Sequence, residues 1–161
     1  TYNSILSILG KPLPNRKSIV LGMGDTSWNE IKKIAKDEEI FEQIRKGKFD
    51  NISEITILTD EIAEKLARCQ RSLDLRGLAS LSESVASHLA KHSGAIDLSG
   101  LVTLADDAAK HIYKHQGYLY FSGLTSMSDV SAEYLSRHKG NLGISEGIKA
   151  QIERNTKKNK K

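Results

Sequence analysis

Apolar and polar positions along the second half of the chain alternate between two periods. In Leu73-Asp74-Leu75-Arg76 every second residue is apolar, which predicts a short strand with one face turned inward. From Val85 the spacing changes: Val85, Ala86, Leu89 and Ala90 lie on one stripe of a helix. The same switch recurs downstream, with Ala108, Ala109, Ile112 and Tyr113 on a second stripe and Val130, Tyr134 and Leu135 on a third. Gly77, Gly100 and Gly123 stand between strand and helix, where a glycine implies either a positive φ or a close backbone approach. Ser82 and Ser128 are placed to cap helix N-termini, with Glu83, Asp106 and Asp129 in the first turns. Lys91, Lys114 and Arg137 mark the other ends, and Gly94, Gly117 and Gly140 follow as helix terminators.

These elements belong to a unit of 23 residues repeated without a gap over 73–95, 96–118 and 119–141. Self-similarity at this period predicts a solenoid, because one unit cannot bury its apolar face without a neighbour. Shifting back by 23 places Ile52, Ile55, Leu58, Ile62, Ala63, Leu66 and Ala67 on the same apolar positions, so residues 50–72 read as a further unit with Glu54 in place of the glycine. Residues 37–47 read as the helical half of a degraded first unit.

Leu73-Asp74-Leu75-Arg76-Gly77-Leu78-x-x-Leu81 and its two successors resemble leucine-rich repeats, in a bacterial form with a helix after each strand. The resemblance spans about residues 50–144 and departs from the family at Leu78, Leu101 and Leu124, where an asparagine is usual. It implies an α/β fold: a short right-handed solenoid with parallel strands on one face, helices on the other, and terminal caps. It also implies a protein-interaction module that uses the outward face of the strands, with no catalysis and no cofactor.

Residues 1–36 do not follow the repeat and are expected to form an N-terminal cap, of short helix, Pro12/Pro14 loop, strand and helix. The repeat region then covers 37–144. Residues 145–161 complete the chain as a cap helix, from Gly147 to Arg154, and a frayed basic tail.

Charge sharpens that last assignment. Of the 24 Lys and Arg and 20 Asp and Glu in 161 residues, residues 146–161 hold six cations and two acids, leaving 18 of each sign in the body. The tail therefore carries the whole net charge of +4, and nucleic-acid association through it is the second function class to weigh. No stretch approaches the roughly 20 apolar residues of a membrane span. One cysteine, Cys69, rules out an intrachain disulfide and fits a cytoplasmic location.

Candidate chemistry is sparse. Gly22-Met23-Gly24-Asp25 suggests a dinucleotide turn, but Ser27 replaces its third glycine and Ser27-x-x-Glu30 makes a capping box instead. His88/His92 and His111/His115 have metal-compatible helical spacing, yet His92, His115 and His138 are repeat equivalents at helix ends and read as dipole-capping residues. Cys69 has no partner base, and no acid–base–nucleophile set emerges. The outward strand positions are the better candidates. Asp74, Arg76, Asp97, Ser99, Tyr118, Tyr120 and Ser122 should form one surface, with Asp74, Asp97 and Tyr120 in a single column. Arg and Tyr are the residue types that dominate interface hot spots.

Overall fold

In the computed structural model, which describes residues 36–158, the chain is an α/β fold with parallel strands in a sheet and helices. Helix α1 covers 36–45 and a single 3-10 turn covers Ile52–Glu54. There follow α2 (Asp60–Ala67), β1 (Leu73–Asp74), α3 (Glu83–Leu89), β2 (Ile96–Asp97), β3 (Thr103–Leu104) and α4 (Asp106–Ile112). The chain continues through β4 (Leu119–Phe121), β5 (Ser126–Met127), α5 (Asp129–Ser136), β6 (Leu142–Ile144) and α6 (Glu146–Lys158). The N-terminal cap expected over 1–36, with the Gly22 turn, lies outside the described residues except for Lys36.

The main sheet has the order β1-β2-β4-β6, all parallel. Its register pairs Leu73 with Ile96, Ile96 with Leu119 and Leu119 with Leu142, so each strand is offset from its neighbour by one 23-residue unit. Leu75, Leu98 and Phe121 form a column with no exposed surface, and Leu89, Ile112 and Leu135 are buried on the helices. A two-stranded sheet, β3 with β5, is built on the same offset, Thr103 opposite Ser126.

The turns after the strands close on themselves. The amides of Leu78, Leu101 and Leu124 donate to the carbonyls of Leu75, Leu98 and Phe121, three residues back, while their side chains are buried. The glycines before them are needed for close approach and not for backbone conformation, since Gly47 is the only described glycine with positive φ. A Cβ at Gly100 would overlap the Arg76 carbonyl oxygen, and one at Gly123 that of Ser99. Gly94, Gly117 and Gly140 correct the expectation of helix terminators. The helices are C-capped by Ala90, Tyr113 and Arg137, and these glycines also press against the previous unit, a Cβ at Gly117 falling 2.6 Å from the Gly94 carbonyl oxygen.

Helix starts agree with the capping signals. Ser82 and Ser128 accept hydrogen bonds from the amides of Val85 and Ser131, and Thr59 does the same for Ile62. Residues 50–72 depart from their unit pattern: Asp50 and Asn51, the equivalents of β1, form no strand, Asn51 has φ 60°, and the 3-10 turn follows. At this end Asp37, 2% exposed, accepts hydrogen bonds from the Thr56 amide (3.1 Å), the Thr56 hydroxyl (2.9 Å) and the Ile57 amide (3.0 Å). Its carboxylate satisfies two partly buried backbone amides that would otherwise be left without a partner. Arg45 ties α1 to α2 through Glu61 at 3.0 Å while also holding Glu38 and Glu42.

At the far end α6 lies over the last unit with Ile148 buried. The Gln151 amide donates to the Met127 carbonyl and the Asn155 amide to the Asp129 carbonyl and carboxylate. The helix continues through Lys158, past the expected end at Arg154, so Lys157 and Lys158 are helical and not part of a frayed tail. Among the described residues no helix is long and apolar enough to cross a membrane.

Candidate interaction surface

The residues singled out on the outward strand positions come together. Strand pairing aligns Asp74, Asp97, Tyr120 and Gly143 in one column, with Tyr118 beside it at the start of the strands and Arg76, Ser99 and Ser122 beside it at their ends. All seven candidates are exposed or half-buried.

Their hydrogen bonds divide them into two groups. Asp97 accepts from the Ser99 amide at 2.9 Å, closing a local turn. Asp74 accepts from the Arg76 guanidinium through both carboxylate oxygens, at 2.9 and 2.8 Å. The guanidinium holds the Asp74 carboxyl below its usual range. The two aspartates are thus partly occupied by their own chain, and the Asp74–Arg76 pair presents a neutral fork of hydrogen-bonding groups.

The tyrosines are not neutralised in this way. Tyr118 and Tyr120 are 36% and 38% exposed, and their rings stack on each other with centroids 4.4 Å apart. Tyr120 lies flat across the next strand, where a Cβ at Gly143 would come within 2.8 Å of its ring. Gly143 is a member of this surface that the sequence reading passed over. The signal was available, since Gly143 stands one 23-residue unit after Tyr120. Two stacked aromatic rings resting on bare backbone form a rigid, flat, amphipathic platform.

The histidines at the unit ends take a different place from the one expected. His92 and His115 are 2% and 0% exposed, and with the half-buried His138 they form a column of parallel rings, 6.2 and 6.4 Å apart. The ring nitrogens of His138 face the carbonyls of Tyr113 at 3.0 Å and Gly117 at 3.2 Å, both in the preceding unit. A neutral imidazole donates one hydrogen bond and an imidazolium two. The column therefore links units to one another, and dipole capping is at most part of its role. Burial, then charge on His92, pushes the His115 imidazole below its ordinary value. Cys69 holds the equivalent position one unit upstream, half-buried, with its thiol 3.8 Å from the Arg71 carbonyl oxygen.

Comparison of the chain with family models, with curated proteins and with solved structures finds no match.

Proposed function

We propose that the chain is a short solenoid of leucine-rich-repeat type that binds a partner protein on the outer face of its parallel sheet and has no catalytic role. The solenoid reading is supported by the 23-residue register of both sheets and by the buried leucine columns behind them. One observation carries the binding reading. The stacked Tyr118–Tyr120 pair stays exposed in the middle of the sheet, with Asp97 on the adjacent strand and Arg76 one strand further. Tyrosine and arginine around a flat aromatic centre are the composition of a binding hot spot.

Scale limits the affinity. Four strands with about three outward residues each fall short of the roughly 20–30 residues a side of a standard interface. Binding through this face alone is weak, or it recruits the adjoining loops.

The reading is tested by measuring affinity and stability on the same variant. Tyr120→Ala should weaken binding of a partner, once one is isolated, by about 1–2 kcal/mol or more. The same change should alter unfolding free energy by only about half a kcal/mol. Arg76→Glu, which touches no core contact, provides an independent check on binding. A stability loss with unchanged affinity in Tyr120→Ala, and no effect in Arg76→Glu, would make the face structural and the proposal wrong.

A further inference from the structure

Body charges that cancel in the sequence are separated in the fold. Each helix from α2 to α5 ends at the same edge of the molecule, where a loop leads the chain to the next strand of the main sheet. The four return loops, 68–72, 90–95, 113–118 and 137–141, contain Arg68, Arg71, Lys91, Lys114, Arg137 and Lys139 and not one acid. The opposite edge, at helix positions 59–61, 82–84, 105–107 and 128–130, contains Asp60, Glu61, Glu83, Asp106, Asp107 and Asp129 and no cation. Helix dipoles account for the sign at each edge. They do not account for what accompanies the cations.

Aromatic rings are interleaved with the basic row. The Arg71 guanidinium lies 5.7 Å from the Phe49 ring centroid, the Lys114 ammonium 6.0 Å from that of Tyr113, and the Arg137 guanidinium 5.9 Å from that of Tyr134. Tyr113 and Tyr134 also stack on each other at 5.6 Å. At one end of the row an open cavity of about 620 Å³ is lined by Gly47, Phe49, Lys65, Arg68, Cys69, Gln70 and Arg71, again without an acid. Arg68 and Arg137 are paired with Glu64 and Glu133 on their own helices, whereas Arg71, Lys91, Lys114 and Lys139 are exposed and belong to no ion pair among the described residues. Units succeed one another along this edge every 6.2–6.4 Å, the separation of the histidine rings just beneath it.

We infer that the return-loop edge binds single-stranded nucleic acid, with the phosphates following the cations of successive units and bases resting on the cation-topped rings. A narrow row with a short, regular step suits a linear polyanion better than a flat anionic membrane. Half-buried aromatic rings between the charges favour a polyanion that carries bases over an acidic peptide. The row adjoins the tyrosine face at Tyr118, and the tail deletion below separates its contribution from that of the basic C-terminal segment. Asn155 fastens that segment to Asp129 at the acidic edge.

Fluorescence anisotropy with a labelled oligouridylate of about 12 nucleotides tests the inference, a length within the usual span of such sites. The full chain is compared with Arg71→Glu/Lys91→Glu/Lys114→Glu, with its milder glutamine counterpart, with a chain lacking 157–161, and with Tyr113→Leu. Circular dichroism confirms that each variant folds. Charge reversal should weaken binding at least about tenfold and flatten the salt dependence by about 2 logarithmic units per decade, about 0.7 for each lost phosphate contact. The glutamine variant should fall between, and tail deletion should change affinity by less than about threefold. Tyr113→Leu should weaken oligouridylate binding while leaving binding of inorganic polyphosphate unchanged. No binding by the full chain at about 50 mM salt would overturn the inference. So would loss on tail deletion with the charge-reversed chain unaffected. Equal competition by polyglutamate or by vesicles of anionic phospholipid would transfer the edge to an acidic peptide or a membrane and refute the nucleic-acid assignment.

Discussion

At the scale of single residues, glycine shows why a residue type alone underdetermines its reason. Gly77, Gly100 and Gly123 occupy ordinary backbone conformations, and what excludes a side chain is the carbonyl of the preceding unit. Gly147, on α6, meets nothing within 4 Å. Gly100→Ala should therefore destabilise by about 3 kcal/mol or more, at the upper end of overpacking costs. Gly147→Ala should be neutral or stabilise by about half a kcal/mol, as expected for an exposed helical glycine. Urea unfolding of the two variants measures both, and similar values would show that the close approach yields readily. His115 supplies a second residue-scale expectation. Its pKa in the fold lies below the ordinary 6.5, so between those two values the unfolded chain binds more protons than the folded one. The stability it contributes is complete above about pH 6.5 and declines as pH falls through that value towards the folded pKa. Urea midpoints at pH 7.5 and 5.0 should differ in that direction, and the difference should shrink in His115→Gln. An unchanged difference in the variant would assign the pH dependence to other groups.

At the scale of elements, the two periods in the sequence identified the strands at 73, 96 and 119 and the helices that follow, because alternation and helical stripes are local properties. Features that depend on contact between units were hidden. The histidine column could be seen as a spacing but not as a stack of buried rings, since its partners lie 23 residues away and the register had first to be known. Asp37 gave no sequence signal at all. It lies in a helix with other acids, and its role follows only from a contact with residues 56–57, about 20 positions away. In the unit read over 50–72, the equivalents of β1 form no strand: Glu54 stands in place of the glycine, and no described segment upstream pairs with them. Of the interaction face, the seven outward residues were legible from alternation and Gly143 from the 23-residue spacing, whereas the ring stacking was not. Asp37→Ala should strand two amides and cost about 1.5–3 kcal/mol, the scale of hydrogen bonds to a charged group. Hydrogen exchange should show faster exchange at Thr56 and Ile57 with little change at Leu98. Uniform loss of protection across the sheet would instead mean that Asp37 supports the whole fold.

At the scale of the whole molecule, the pattern of contacts sets how the chain responds to load. Strand pairs, glycine contacts and histidine rings all connect a unit to the unit beside it, one 23-residue step away. Tension applied to the two ends of the chain then loads these seams in series, and the terminal ones face it first. Each seam that yields frees one unit, which when drawn out adds about 80 Å at the usual reach of roughly 3.3–3.6 Å per residue. Pulled in an optical trap, the molecule should lengthen in a short staircase of such steps, while a single rip would mean that the seams fail together. A protein built in this way gives ground gradually, shedding its outer turns while the middle of the sheet still holds.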